Sequence, residues 1–277
     1  MSTSLTTDLR TDWEEWHSAR ERELATPHGW LSLTSFHWLP GSPEQLPGLP
    51  GLYSVQDGQA VLTASADDGY AQADGGAPVN GSATTRVAEA KSLLWLTLGD
   101  VVIELALRGG RYTIRTRDPK AAARAAFRGV PAFPVDEKWL VKGRYEPFDA
   151  PQQISVSTAR DDLVQQITGV GTVLLELDGE QYPLIATAGA GGALSIAFHD
   201  ATNGVQTARW RAVPTSVPTS DGSVEIDFNR AINFPFSFSD YGTCPAPPAG
   251  NTLALAVTAG ELAPRRAGQQ CRQAGQQ

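Results

Sequence analysis

The chain contains few of the residues that mark disulfide-rich or membrane proteins. Only two of its 277 residues are cysteine, too few for the disulfide framework that stabilises small secreted domains, so we expect a reducing compartment. No run of about 20 apolar residues occurs, which argues against a membrane span. The N-terminus has no apolar segment behind a basic start, which argues against a signal peptide. These absences predict a cytoplasmic protein.

The common catalytic and ligand-binding motifs are also missing. The sequence has no Gly-x-Ser-x-Gly, His-Glu-x-x-His, Cys-x-x-Cys or Gly-x-x-x-x-Gly-Lys, the usual signatures of hydrolases, zinc proteins and nucleotide-binding proteins. The run GAGGA at 189–193 imitates a dinucleotide loop, but a strand-like run follows it instead of a helix, so it reads as a hairpin turn. The four histidines of the chain have no spacing that would place two of them together as metal ligands on one helix or strand. We expect no metal and no cofactor.

The chain has fewer basic than acidic residues. The chain has 22 Lys and Arg against 30 Asp and Glu, a formal net charge of −8. Such a field repels phosphate backbones and anionic membrane surfaces. We therefore expect neither nucleic acid nor a membrane as a partner.

The N-terminal segment carries a helix signal. Thr11-x-x-Glu14 has the form of a capping box, which predicts a helix from about residue 12 to 24. An apolar stripe with one arginine stem follows on one face: Trp13, Trp16, Arg20 and Leu24. This amphipathic helix should dock through its tryptophans.

The rest of the chain predicts short strands separated by turns. Apolar runs recur with Gly-rich turns between them, and Asp178-Gly179 is the strongest hairpin signal. The segment 118–127 is the only other helix candidate. Near the C-terminus we expect strands at 207–213, 223–229 and 252–259. The pattern predicts a mainly β protein, a single antiparallel β-sandwich or barrel-like domain over residues 1–263, with a disordered polar tail at 264–277.

Two of these strands carry a polar face each. Alternation would place Arg209 and Arg211 on one face, and Glu225, Asp227 and Asn229 on one face of the other strand. If the strands pair as a hairpin, the two faces meet. They could form a salt-bridge ladder exposed to solvent, or a polar patch in a cavity that binds a carboxylate or phosphate.

Eight short motifs run through the chain in the order GWL, RDP, AAFRGVPAFPVDEKW, FHDATNG, DFNRA, NFPF, TCPAPPAGN and AGE. In order and spacing they resemble the bacterial and archaeal family known as domain of unknown function 1684, over nearly the whole chain. The resemblance implies that family's fold and no particular activity. Where the family pattern has a Pro and a first Cys, this chain has Phe234 and Phe236, which leaves Cys244 as an isolated thiol.

The segment from Asp227 to Asn251 is rich in proline and asparagine. Prolines fix φ and remove N–H donors, so the segment should be irregular, with Asn229, Asn233 and Asn251 supplying side-chain partners for its backbone. It could plug the end of the core or form one wall of a pocket. Cys244 should be buried and unreactive, and we expect no disulfide to Cys271 in the polar tail.

The sequence leaves three functional hypotheses. The leading one is a small anionic organic ligand bound near residues 199–211 and 227–251, with these ligand-binding candidates: Arg209, Arg211, Asp227, Asn229 and Asn251. The second is a hydrolase-type enzyme with Asp227 or His199 as general base. The third is an interaction protein that docks through its tryptophan-rich helix. For His199 the alternative is a surface imidazole beside an Asx-turn at Asp200. The ligand, turnover and oligomeric state stay open.

Overall fold

The computed structural model describes residues 2–265, with side chains from residue 8 onward. The described residues divide into two compact units: unit 1 comprises residues 2–23 and 128–265, and unit 2 comprises residues 24–127. This division does not decide whether residues 1–263 form one domain, which stays a prediction. The tail predicted for 264–277 lies outside the described residues from residue 266 on, as does Cys271.

The N-terminal helix α1 spans Ser2–Leu24. It ends where predicted but begins ten residues earlier, so Thr11 lies inside the helix and the predicted capping box is wrong. A capping pattern is a local signal, and Ser and Thr can still lie inside a helix when their hydroxyls face solvent. The predicted face is confirmed: Trp13, Trp16 and Arg20 are half-buried, and Leu24 is buried.

Unit 2 contains eight strands: β1 (Leu33–Trp38), β2 (Leu52–Gln56), β3 (Gln59–Ala64), β4 (Tyr70–Gln72), β5 (Gly81–Thr85), β6 (Ser92–Leu98), β7 (Val101–Arg108) and β8 (Arg111–Arg117). One antiparallel sheet has the order β1-β8-β7-β6-β4 and a second has the order β2-β3-β5. Alternate residues of both sheets meet in one apolar core. Of the helix predicted at 118–127, only α2 (Ala122–Ala125) forms.

Unit 1 contains seven strands: β9 (Leu140–Ser157), β10 (Val164–Leu177), β11 (Glu180–Ala188), β12 (Leu194–Phe198), β13 (Arg211–Pro214), β14 (Ser223–Asp227) and β15 (Ile232–Asn233). They form one antiparallel sheet in the order β14-β9-β10-β11-β12-β13-β15. Thr215, directly after β13, forms an isolated bridge with Ile226 of β14, but no ladder joins β14 to β15, so the sheet is not a closed barrel. The mainly β, antiparallel, sandwich-like class is confirmed.

The hairpin considered for 207–213 with 223–229 does not form between β13 and β14. β13 pairs with β12 and β15, whereas β14 pairs with β9. Residues 207–210 are not strand at all. The residues that turn back onto β14 are those after β13: Thr215 bridges Ile226, and the N–H of Ser216 donates to the carbonyl of Glu225 at 2.8 Å.

The strand predicted at 252–259 is also wrong, although its apolar residues are buried as the pattern required. Leu253, Val257 and Ala259 lie in the core of unit 1. The backbone there makes isolated contacts instead of a ladder: the N–H of Val257 donates to the Asp200 carboxylate at 2.9 Å. No helix among the described residues has the length and apolar character to span a membrane.

Candidate functional site

The turn after β14 is closed by its own polar side chains. Asp227 Oδ1 accepts hydrogen bonds from the backbone N–H and the side-chain amide of Asn229, at 3.0 and 2.8 Å. Arg230 Nε lies 3.3 Å from the other oxygen of Asp227. Asn229 bonds the backbone of Asp136 in both directions: Oδ1 accepts from its N–H and Nδ2 donates to its carbonyl, at 3.0 and 3.1 Å. Both residues hold backbone in place.

The side chain of Asn251 connects β11 and β12 where the hydrogen-bond ladder between these two strands has ended. β11 and β12 pair through only two residue pairs. Beyond these, the fully buried side chain of Asn251 accepts from the N–H of Ile185 and donates to the carbonyls of Ile185 and Ala197, each at 2.8 Å. Its own carbonyl accepts from the N–H of His199 at 2.8 Å. The amide replaces the missing part of the strand ladder.

Arg211 is completely buried in a polar network. Its Nη2 lies 3.3 Å from Asp200 Oδ1 and 3.0 Å from the carbonyl of Val257, and its Nη1 donates to the carbonyl of Ala259. Burial lowers the pKa of the Arg211 guanidinium, and the Asp200 carboxylate opposes that shift. A buried guanidinium is tolerated only with such partners. Arg211 therefore crosslinks the 199–211 and 257–261 segments.

Glu261 connects helix α1 to the C-terminal segment. Its carboxylate lies 3.2 Å from Arg20 Nε and accepts from the N–H of Asn233 at 2.6 Å. Arg20 Nη2 also donates to the carbonyl of Asn233 at 3.1 Å. Burial raises the pKa of Glu261, although Arg20 and the Asn233 N–H favour its charged form. On the same helix, Trp13 Nε1 donates to the carbonyl of Asn229 at 2.7 Å.

Arg209 lies on the surface beside an aromatic cluster. Its guanidinium carbon is 4.9 Å from the Trp210 ring centroid and 5.1 Å from that of Phe236, and Nη2 donates to the carbonyl of Ala159 at 3.1 Å. Trp210 and Phe236 are themselves 4.3 Å apart and pack with Cys244 in a small buried cluster. The prediction that Cys244 is buried is confirmed, while its low reactivity stays a prediction.

A cavity of about 420 Å³ opens next to this cluster. One wall is formed by residues 204–209 and another by residues 236–242. The lining residues are Ala159, Gly204, Thr207, Ala208, Arg209, Phe236, Ser237, Ser239, Asp240, Gly242, Ala263 and Pro264. The lining thus contains one guanidinium, one carboxylate and three hydroxyls. Within the part of the chain that is described, no three His, Cys, Asp or Glu side chains could hold a metal ion.

The structure brings only one of the predicted ligand residues to this cavity. Arg209 lines it, whereas Arg211, Asp227, Asn229 and Asn251 do not. The expected alternation of Arg209 and Arg211 on one strand face is wrong, because residue 209 precedes β13. Arg209 is exposed and Arg211 is buried. Neither arginine faces Asp227, whose cationic neighbour is Arg230.

His199 takes part in backbone contacts at the end of β12. Its Nδ1 lies 3.1 Å from the carbonyl of Arg209, so Nδ1 is the nitrogen that carries the proton. Its ring meets the edge of Trp210 at 6.1 Å. Asp200 bonds the N–H of Thr202 at 3.2 Å, so the Asx-turn is confirmed. The Asp200 carboxylate is hydrogen-bonded within that turn and to Arg211 and Val257.

The sequence patterns did not identify two carboxylates: Glu261, which bonds Arg20 and Asn233, and Asp240, which lines the cavity. Glu261 is the single charge in an apolar run from 252 to 263, and an isolated charge of this kind signals a buried, paired carboxylate. Asp240 lies in a short polar stretch between Phe238 and Gly242, and no local pattern distinguishes it from an ordinary loop residue.

Unit 2 holds a second buried charge cluster that the sequence analysis did not identify. Glu104 on β7 bonds two arginines of β8, Arg115 and Arg117, and all three are nearly inaccessible. The Trp30 ring lies 5.4 and 4.9 Å from the two guanidinium carbons. Burial alone would raise the pKa of Glu104, but the two arginines outweigh it and hold that pKa below its usual range.

The comparisons with known proteins agree with the resemblance of the motifs. The profile of the family described as Protein of unknown function (DUF1684) matches residues 125–262, and the chain belongs to this family. The motifs GWL and RDP lie outside the matched residues. An uncharacterised protein of Haloarcula marismortui, known from a solution NMR structure, is 32% identical, with 50% of this chain and 78% of that one covered and a TM-score of 0.42. No curated protein matches the chain.

Proposed function

We propose that this protein binds a small organic molecule with an anionic group in the cavity beside Arg209. The anionic group contacts the guanidinium, and the hydroxyls of the 236–242 wall bond the rest of the ligand. The observation that carries this proposal is the pairing of a cavity with an accessible guanidinium: Arg209 both lines the cavity and is exposed.

The position of Arg209 suits it for this role. A guanidinium has five N–H donors, and the contact with the Ala159 carbonyl uses one nitrogen. The rings of Trp210 and Phe236 support its flat face, which limits its rotamers and lowers the entropy lost when a ligand is bound. A planar, supported guanidinium can then take a carboxylate or phosphate in the bidentate geometry that gives strong hydrogen bonds.

The size of the cavity also fits a small molecule. Ligand sites commonly measure about 300 to 1,000 Å³, and this cavity of about 420 Å³ lies within that range. Its mixture of apolar and hydroxyl-bearing side chains is that of a site which orients a ligand through a few polar contacts.

The two alternative functions have less support. A general base must lie within hydrogen-bond reach of its substrate, and neither Asp227 nor His199 lines the cavity. The tryptophan-rich helix packs within unit 1, where Trp13 donates to Asn229 and Arg20 bonds Glu261. This packing occupies the face that a docking helix would present to a partner.

Arg209→Gln tests the proposal. We expect the folded protein to bind inorganic phosphate or pentanoate, and the variant to bind at least about tenfold more weakly, since a charge-assisted hydrogen bond contributes about 1.5 to 3 kcal/mol. Calorimetric titration measures both affinities. The fold should survive, because Arg209 is a surface residue.

The matched control is Arg144→Gln, which removes an exposed arginine of β9 that does not line this cavity. It should leave both affinities unchanged. If Arg209→Gln and Arg144→Gln bind phosphate and pentanoate as wild type does, or if wild type binds neither up to about 10 mM, the proposal is wrong. Arg211 is unsuitable for this test, because its loss would leave buried groups of the fold without partners.

A further inference from the structure

Two of the five asparagines of the chain precede a glycine: Asn80 before Gly81, and Asn203 before Gly204. The fold places these two pairs in opposite surroundings. We propose that Asn80–Gly81 is a modification site, at which the folded protein deamidates spontaneously, and that the fold protects Asn203–Gly204 from the same reaction. This inference is independent of the function proposed above.

Deamidation at an asparagine–glycine pair begins with a ring closure between the two neighbouring residues. The backbone nitrogen of the glycine attacks Cγ of the asparagine, so that a new carbon–nitrogen bond forms and the bond from Cγ to the side-chain nitrogen breaks. Ammonia leaves and carries away the proton of the glycine N–H. Water then opens the succinimide ring at either carbonyl, which gives an aspartyl or an isoaspartyl residue. Glycine favours the attack because it has no Cβ to hinder the approach to its nitrogen.

The carboxamide of Asn80 can reach the geometry of attack without breaking any contact of its own. Asn80 is exposed, and its side chain has no hydrogen bond within the part of the chain that the structure describes. Gly81 is also exposed, has φ of +105°, and has no atom within 4 Å of the place where a Cβ would lie. Its pair with Ala64 is the last of the ladder between β3 and β5, where local opening costs least.

The carboxamide of Asn203 is held at both of its polar atoms. Nδ2 donates to Asp200 Oδ1 at 2.7 Å and to Thr207 Oγ1 at 2.9 Å, and Oδ1 accepts from the N–H of Asp200 at 3.0 Å. The N–H of Gly204, whose nitrogen would attack, donates to the carbonyl of Thr207 at 3.0 Å. These hydrogen bonds must break before the two reacting atoms can meet.

The remaining asparagines are buried, and each precedes a residue that has a Cβ: Asn229, Asn233 and Asn251. The fold therefore leaves one asparagine–glycine pair open to reaction. Deamidation there adds one negative charge to the formal net charge of −8, and the isoaspartyl product adds one methylene to the backbone just before β5. Both changes fall on exposed residues, so we expect the deamidated protein to stay folded.

Incubation of the folded, full-length protein at mildly alkaline pH tests this proposal, because alkali promotes loss of the proton from the glycine N–H. Peptide mass spectrometry measures how fast each asparagine is converted to aspartate and isoaspartate. We expect Asn80 to be converted at least about tenfold faster than Asn203, since every hydrogen bond that must break at Asn203 raises its barrier. Asn80→Gln should abolish the fast conversion, because the longer side chain would have to close a larger ring.

The same incubation in urea is the matched control, since unfolding removes the contacts of Asn203 and leaves both asparagine–glycine pairs intact. The ratio of the two rates should then fall to about one. If Asn203 is converted as fast as Asn80 in the folded protein, or if Asn80 is converted only after unfolding, the proposal is wrong. A ratio that stays near tenfold in urea would also overturn it, because the neighbouring sequence and not the fold would then set the two rates.

Discussion

Three buried asparagine side chains of the C-terminal segment form hydrogen bonds with backbone groups elsewhere in unit 1. Asn229 bonds both backbone groups of Asp136, Asn251 bonds Ile185 and Ala197, and Asn233 Nδ2 donates to the carbonyl of Leu262 at 2.8 Å. A carboxamide can donate and accept at once, as a peptide group does. The prediction that these asparagines would supply partners for the backbone of the 227–251 segment is wrong, because all the backbone groups that their amides bond lie outside that segment.

Asn251 provides the sharpest test at the scale of single residues. Asn251→Ala removes three buried hydrogen bonds and leaves the Ile185 and Ala197 backbone groups without partners, so we expect a loss of about 2 to 5 kcal/mol in the free energy of unfolding. Urea denaturation measures it. The control Asn80→Ala, at an exposed position, should cost less than about 0.5 kcal/mol. Equal effects of the two substitutions would show that the Asn251 contacts contribute little.

At the scale of elements, the segment 252–261 behaves as an inner strand without a ladder. Its apolar side chains fill the core of unit 1, while its backbone bonds to side chains and loops such as Asp200. It ends in a tight turn at Gly260, which has φ of +75° and lies against Ala231. That turn sets the carboxylate of Glu261 beside Asn233 and Arg20.

Substitution of two glycines with the same φ distinguishes the cost of backbone strain from the cost of steric crowding at this turn. A Cβ on Gly260 would lie 2.5 Å from the Ala231 carbonyl oxygen, whereas one on Gly204, also at φ +75°, would meet nothing within 4 Å. Gly204→Ala should cost about 1 kcal/mol from strain. Gly260→Ala should cost at least about 2 kcal/mol more, because backbone must move. Thermal unfolding of both variants measures the difference, and similar melting temperatures would contradict the close packing at Gly260.

At the scale of the whole molecule, buried carboxylates pair with arginine in both units, and Glu261 of unit 1 and Glu104 of unit 2 respond to pH in opposite directions. The pKa of Glu261 in unit 1 is raised by burial despite Arg20. The pKa of Glu104 in unit 2 is lowered, because Arg115 and Arg117 outweigh burial. Two partners overcome the desolvation of a carboxylate where one does not.

The pH dependence of stability follows from these directions. A raised folded-state pKa means that the contribution of Glu261 is present below its ordinary value of 4.5 and is lost as pH rises through the raised pKa. Glu261→Gln should therefore gain stability relative to wild type as pH increases from about 4.5 to 8. Urea denaturation at a series of pH values measures this difference.

Glu104→Gln is the matched comparison for that experiment. The lowered pKa of Glu104 means that its contribution is present above 4.5 and is lost as pH falls through the lowered pKa. This variant should show a nearly constant deficit from about pH 5 to 8. A constant difference between Glu261→Gln and wild type over the same range would mean that the pKa of Glu261 is not raised.

Local sequence patterns predicted much of the secondary structure but not which strands pair with each other. The hairpin at Asp178-Gly179 forms, with both residues at positive φ, because turn type depends on the two residues themselves. The helix face of Trp13, Trp16 and Arg20 is likewise a matter of spacing along one element. The pairing considered for β13 with β14 does not form, because β14 pairs with β9, a strand more than 60 residues earlier in the chain that no local pattern identifies as its partner.

For the candidate site, too, the sequence indicated the segments involved but not the side chains that line the cavity. Prolines and aromatics indicated an irregular wall at 227–251, and the cavity is lined by parts of this segment and of 199–211, while ligand binding there stays a proposal. Which arginine faces that cavity did not follow. Arg209 and Arg211 are two positions apart in sequence, yet Arg209 is exposed and Arg211 has 0% exposure, because β13 begins only after Trp210.

The sequence by itself determined the class of the protein: mainly β, with an amphipathic N-terminal helix and a proline-containing segment at 227–251 that is largely irregular. These features depend on residue type and spacing, which are local. Only the tertiary structure decided that Asp200 and Glu261 hold Arg211 and Arg20, and that Asp240 shares a cavity with Arg209. Burial and pairing of a charge depend on what the rest of the chain places around it, and no local pattern contains that information.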